Sequence, residues 1–366
     1  MGSQIDTGTR TRPLTEKDKE KIIEMNDKMA NSALRVLAFA YSEDGSTKNL
    51  IFLGLIGMLD PPRESVAGAI KTAKKAGIRV VMITGDNALT AKAISSQIGI
   101  KSEVVTGVQL DRMSDEAILN TIRQVSIFAR VNPEHKVKIL EAFQKDKQVV
   151  AMTGDGINDA PALKKADVGV AMGISGTDVS KEASDMILMD DHFSTIVSAI
   201  KYGRSIYDNI KKFVKFLLSA NLGEGSVIFF SLLFSFPLPL LPLQILWVNL
   251  VTDGLPALAL GSDPAEKDIM KRKPRSSKET ILSGTKGFII TTTIVATIIV
   301  LGLFSLEYFT TSNSERARTI ALTTLIFFEL FLAFSCRSKT KNIFQMGFLT
   351  NKYLIGAVLL SMVLHL

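Results

Sequence analysis

Side chains able to hold a metal ion and a phosphoryl group are gathered in two short stretches of the chain. VMITGDN at 81–87 and AMTGDGINDAPAL at 151–163 each end an apolar run with the same Thr-Gly-Asp. Thr84 and Thr153 carry hydroxyls that can donate to phosphoryl oxygens, and Gly85 and Gly154 let the backbone approach such a group closely. Asp155 and Asp159 are hard oxygen ligands of the kind Mg²⁺ prefers, with Asn158 able to support them. Lys136, at the start of the helix that follows NPEH, can neutralise developing phosphoryl charge. A single Thr-Gly-Asp is ordinarily a turn with an Asp cap, and a lone Lys136 or His135 is ordinarily structural. In TGDGINDAP, three acidic or amide side chains and two glycines fall within six residues, which makes a poor turn and a good cradle for metal and phosphate.

A second set of oxygen donors lies in apolar surroundings. SANLGEGS places Asn221 and Glu224 three residues apart, on one face of a helix. WVNLVTDGLPALALG aligns Asn249, Thr252 and Asp253 at i, i+3 and i+4, after which Gly254 and Pro256 loosen the helix and can free carbonyl oxygens as ligands. IFFELFLAF contributes Glu329. Ionisable residues within a membrane span are costly and mark an ion or proton path. Hydrogen bonding between helices accounts for an isolated Asn or Thr, but not for three buried carboxylates. Six oxygen donors without His or Cys suit a hard cation such as Ca²⁺ better than Cu⁺ or Zn²⁺. Glu307 reads as interfacial, and Trp247 as a packing or anchoring residue.

The elements that position these groups follow from hydrophobic periodicity. Thr15 and Asp18 form a capping pattern ahead of a helix, and LRVLAFAYS and LIFLGLIGMLD read as strands up to the break at DPPR, 60–63. Helix and strand then alternate. ESVAGAIKTAKKAG, ALTAKAISSQIG, PEHKVKILEAFQKD and APALKKA are helical, while IRVVMI, a run ending at Phe128, KQVVAM and VGVAM are short apolar strands. That order predicts a parallel sheet covered on both faces, with ligands collected at the carboxyl ends of its strands. After a long basic helix, five apolar segments near 213–236, 243–261, 287–309, 318–336 and 348–366 approach the length needed to cross a bilayer.

At 366 residues the chain exceeds what one core usually serves. Its net charge of +7 is mixed with apolar residues up to about Lys212 and confined to loops beyond it. KRKPRSSK at 271–278 and CRSKTK at 336–341 read as cytoplasmic loops under the positive-inside rule rather than as nucleic-acid patches, which places the sheet domain on the same side. Cys336 is the one cysteine, so no disulfide forms within the chain. The amino end has neither a signal-peptide pattern nor the Ser or Thr expected for myristoylation.

TGDGINDAPALKKADVGVAMG, with DPPR, MITGDN and ARVNPEHK, resembles the phosphorylation domain of the P-type ATPases, a haloacid-dehalogenase-like fold. The resemblance implies that Thr84, Gly85, Asp86 and Lys136 contact phosphate and ATP, and that Asp155 holds Mg²⁺ with Asn158 and Asp159 in support. LLSANLGE and LQILWVNLVTDGLPALALG are similar to the fifth and sixth transmembrane helices of the sarco/endoplasmic-reticulum-type Ca²⁺ pumps. There the residues matching Asn221, Glu224, Asn249, Thr252, Asp253 and Glu329 ligate Ca²⁺, and glutamates at both 224 and 329 match a two-ion arrangement. The implied fold class is α/β plus membrane α-helical. Its expected parts are the tail of a nucleotide-binding domain at 1–60, part of a phosphorylation domain at 61–195, and a stalk with the fifth to ninth membrane helices at 196–366.

The family's nucleophile motif DKTGT, its TGES loop and its PEGL motif do not occur in the sequence. The chain therefore reads as the carboxyl-side portion of a Ca²⁺-transporting ATPase, inactive alone and partnered by an amino-terminal part, ATP, Ca²⁺ and the lipid bilayer. The expected membrane is the plasma membrane in a prokaryote or an internal one in a eukaryote. Alternatives are a Mn²⁺ or monovalent-cation pump, a non-catalytic cation-binding membrane protein, and a membrane-anchored phosphatase, for which no DxD nucleophile pair is apparent.

Overall fold

Short strands and long apolar helices divide between two units in the computed structural model, residues 1–199 with 270–277 and residues 200–269 with 278–366. The structure describes residues 4–365 apart from 9, 44, 46–48, 277, 339–344 and 346. Most of the expected loop at 337–347 thus lies outside the described residues.

The first unit begins with β1 (Gln4–Asp6), β2 (Thr11–Pro13), α1 (Glu16–Asn31), β3 (Leu34–Tyr41) and β4 (Ile51–Leu59), whose strands form one sheet in the order β2-β1-β4-β3. The expected cap of α1 is present: Thr15 Oγ1 accepts the Asp18 N–H, and Asp18 accepts the Thr15 N–H. A Cβ at Gly57 in β4 would lie 2.8 Å from Met29 Cε, so a larger residue there would need the Met29 and Leu34 side chains to shift.

The alternating region contains α2 (Glu64–Lys75), β5 (Met82–Ile83), α3 (Ala88–Gln97), β6 (Val104–Thr106), α4 (Gly107–Asp111), α5 (Asp115–Gln124) and β7 (Ile127–Ala129). It continues with α6 (Pro133–Lys145), β8 (Ala151–Gly154), α7 (Ala160–Lys165), β9 (Val168–Met172), α8 (Asp178–Glu182) and β10 (Met186–Leu188). All pairings here are parallel, but they form two three-stranded sheets, β5-β7-β6 and β10-β9-β8, in place of the single expected sheet. β5 and β8, the strands carrying the two Thr-Gly-Asp tripeptides, are both edge strands. That position explains why the expected strand 78–83 shortens to two residues. With a partner only in β7, Arg79 turns aside and donates to the Arg123 and Val125 carbonyls. Apolar cores built on Phe128, Ile122, Leu110 and Ile139, and on Ile70, Ala91 and Ile127, hold the first of these sheets.

α9 (Phe193–Leu233) is a continuous helix of 41 residues. It is followed by α10 (Pro242–Trp247), a π-helical turn at Val248–Asp253, α11 (Gly254–Gly261), α12 (Lys286–Thr311), α13 (Ser314–Ser335) and α14 (Lys352–His365). Among the described residues four helical segments are long and apolar enough to span a membrane: Phe193–Leu233, Pro242–Gly261, Lys286–Thr311 and Ser314–Ser335. The fifth expected span, 348–366, holds α14, an apolar helix of 14 described residues that begins after Asn351, which caps it by accepting the Leu354 N–H. Phe216, Val248, Leu260, Ile326 and Leu330 form the main core of this unit. Large apolar residues such as Phe229, Leu243, Ile298 and Phe331 face outward, as lipid contact requires.

Candidate phosphate and cation sites

In the first unit the tip of β5 is tied to the turn after β7. Thr84 donates its N–H to Phe128 and accepts that of Val131, while the Arg130 N–H reaches the Asp86 carbonyl. Arg130 adopts a φ of 49°, a left-handed conformation that this turn imposes. The Thr84 hydroxyl accepts the Asp86 N–H and donates to the Asp86 carboxylate. Gly85 and Asp86 are exposed.

The same turn launches α6. Asn132 caps the helix by accepting the His135 N–H, and His135 Nδ1 accepts the Asn132 N–H in return. The neutral ring then carries its proton on Nε2, 2.8 Å from Asp111. His135 is buried and structural, as expected of it.

Lys136 is thereby aimed at the loop after β8, where its Nζ lies 2.5 Å from Asp159 Oδ1. The other Asp159 oxygen accepts the N–H groups of Asp155 and Gly156 at 3.3 Å. Asp159 is buried with both oxygens engaged, so it organises the Gly-Asp-Gly backbone and anchors Lys136. Gly154 has a packing reason to lack a side chain, because a Cβ there would lie 2.4 Å from the Asp159 Cβ. The Asp155 carboxylate is exposed, with no hydrogen-bond partner among the described residues, and Asn158 is exposed beside it.

Sequence reasoning missed the loop that supports Asp155 from behind. The Asp155 carbonyl accepts the Thr177 N–H and the Ser180 hydroxyl. That loop is held in turn by Asp191, whose carboxylate accepts the Ile174 and Ser175 N–H groups, at 3.0 and 2.8 Å. These backbone donors lower its pKa to about 2. The available signal was the acid pair Asp190–Asp191 after an apolar strand.

In the second unit the π turn carries Asn249, Thr252 and Asp253. Pro256 lacks the N–H that would close a regular turn there, and π turns recur at functional sites. One oxygen from each of Glu224, Asp253 and Glu329 lies within 4.8 Å of the others, and all three residues are buried. Glu224 Oε2 accepts the Asn249 amide at 3.2 Å. Glu224 Oε1, Thr252 Oγ1, both Asp253 oxygens and both Glu329 oxygens are buried without a hydrogen-bond partner among the described residues. Asn221 stands apart from this group. It is exposed, and its amide turns back to the Leu217 carbonyl.

Three carboxylates this close repel one another by roughly 3 kcal/mol per ionised pair at an effective dielectric of about 20. Unpaired buried oxygens carry a further desolvation cost. Both costs are relieved by a hard cation, which takes oxygen ligands alone.

Comparison with known proteins agrees with this division. Residues 14–167 and 135–200 match two families described as haloacid dehalogenase-like hydrolase, and residues 237–366 match the family described as cation transporting ATPase, C-terminus. The chain is 47% identical over 379 residues to calcium-transporting ATPase 1 of Bacillus cereus, covering 96% of this chain and 43% of that protein. It is 47% identical to the calcium-transporting ATPase of Bacillus subtilis, over 92% of this chain and 39% of that protein. Identity is 43% to calcium-transporting ATPase type 2C member 2 of Rattus norvegicus, over 98% of this chain and 38% of that protein. The chain thus spans about two fifths of the length of these relatives. Its first part is thus similar to haloacid dehalogenase-like hydrolases and its last part to the carboxyl terminus of cation transporting ATPases.

Proposed function

We propose that this chain supplies the carboxyl-side half of the phosphate site and the carboxylate cation site of a pump that drives Ca²⁺ across a membrane with ATP. The observation that carries the reading is the buried cluster of Glu224, Asp253 and Glu329, with five carboxylate oxygens left unpartnered. Asn249 and Thr252 add neutral oxygens from the same turn, and the names of the relatives agree with Ca²⁺ as cargo. Asn221 joins the ligand set on the resemblance alone. Carboxylates at both 224 and 329 are what favours the sarco/endoplasmic-reticulum type in this reading.

On the soluble side the proposed chemistry is an aspartyl-phosphate cycle. The nucleophilic aspartate comes from an amino-terminal part, and the free edges of β5 and β8 can each accept a further strand. Thr84, Gly85 and Asp86 face the phosphoryl group and nucleotide at one strand tip. Lys136, held by Asp159, presents positive charge at the other. The exposed and unpartnered Asp155 carboxylate fits Mg²⁺, with Asn158 beside it, whereas Asp159 acts through the backbone and Lys136. Mg²⁺ bound there would neutralise phosphoryl oxygens. Under the positive-inside rule the basic loops support a cytoplasmic side for this domain in a multi-pass membrane protein.

In the full-length pump, Asp253→Asn is expected to abolish Ca²⁺-dependent phosphorylation by ATP, and a robust phosphoenzyme in that variant would refute the assignment. Activation by Ca²⁺, Mn²⁺ and Na⁺, compared in the same assay, separates the cargo ions.

A further inference from the structure

The three clustered carboxylates come from three separate helical segments, and each segment is tied to the same buried residue, Asp263. The Asp263 side chain is fully buried. Its Oδ2 accepts Lys212 Nζ of α9 at 2.7 Å, and its Oδ1 accepts Arg337 Nε, just past α13, at 3.0 Å. Asp263 itself follows α11, and Asn209 of α9 donates to its carbonyl at 2.8 Å. Asn351, ahead of α14, donates to Oδ1 at 2.9 Å and to the Ala259 carbonyl at 3.0 Å.

Spacing along the chain relates this knot to the cluster. Lys212 precedes Glu224 by twelve residues, Asp263 follows Asp253 by ten, and Arg337 follows Glu329 by eight. At about 1.5 Å per residue the two points lie roughly 12–18 Å apart along every segment. The same three segments therefore meet twice, once through repelling carboxylates and once through an aspartate attracting two cations. A buried ion network is weak evidence for stability, but it discriminates sharply between registers. Sliding any one segment by a turn would leave a buried Lys, Arg or Asp without its partner.

We infer that Asp263 is a positioning residue for the cation site, setting the relative register of the three segments that bring Glu224, Asp253 and Glu329 together. The inference rests on the reading of that cluster as a cation site.

The test uses the full chain in lipid nanodiscs, with Ca²⁺ alone as the probe. In the triple variant Lys212→Met, Asp263→Leu, Arg337→Met, apolar side chains of similar size replace the ions. It is expected to keep its helical content by circular dichroism while its Ca²⁺ affinity falls at least tenfold. A second readout does not depend on Ca²⁺. In a Glu224→Cys, Glu329→Cys, Cys336→Ser background, the yield of a short bifunctional thiol cross-link should fall several-fold when the triple substitution is added. Should the triple variant not fold, Asp263→Asn takes its place in both measurements. Unchanged cross-linking in a folded variant overturns the inference. A lowered yield in a chain that never binds Ca²⁺ upholds the positioning role and refutes the cation reading.

Discussion

The acids of the phosphate side and those of the membrane cluster are treated in opposite ways. Asp159 and Asp191 have their oxygens taken by backbone N–H groups, and Asp159 also by Lys136, so their charge is used up inside the protein to shape loops. Asp253 and Glu329 are buried just as deeply, and their carboxylate oxygens have no hydrogen-bond partner among the described residues. A satisfied buried carboxylate is a scaffold, whereas an unsatisfied one is incomplete until something arrives. That contrast separates what holds the molecule from what the molecule holds.

The sharpest way to break the comparison is to remove one charge from each region. Glu329→Gln is expected to weaken Ca²⁺ binding by about 100-fold in an equilibrium binding assay, through loss of one charged ligand. It should also raise the unfolding temperature measured without cation, because a repelling group with no partner has gone. A fall in that temperature would mean Glu329 is a scaffold residue after all. Lys136→Met should do the reverse and lower the stability of the soluble unit by about 1–3 kcal/mol, read by denaturant melts, since it strips a buried carboxylate of its cation.

The smallest effect concerns pH. Asp191 has a folded pKa of about 2, below its unfolded value, so its contribution is complete above roughly pH 4 and disappears as the pH falls towards 2. Asp191→Asn should flatten the acid limb of the stability curve over that window. An unaltered limb would show that the N–H contacts to Ile174 and Ser175 do not matter in solution.

Much of the site was legible beforehand because its chemistry is written in residue type and short spacing. The helix cap at Thr15 and the acidic run at 155–159 act within a few residues of themselves, whereas the Asn132 cap before Lys136 went unread. Glu224, Asp253 and Glu329 were conspicuous because carboxylates are rare in apolar runs. β6 is only three residues long and leaves little pattern, whereas α5 was overlooked although Ser114 caps it and Ile118 and Ile122 recur at helical spacing. The exposure of Asn221 was not legible, because helical spacing predicts a shared face but not which side of the helix its neighbours cover.

By itself, then, the sequence determined which side chains could bind phosphate or a hard cation and which segments were apolar enough to leave water, both local properties of composition and period. Tertiary structure alone decided that the expected sheet would stand as two, with β5 and β8 as edge strands among the described residues. It also decided which acids would be satisfied. Pairing Lys136 with Asp159, or Lys212 and Arg337 with Asp263, joins residues 23 to 74 positions apart. Such partners are selected by the packing of whole helices, and no local pattern records them.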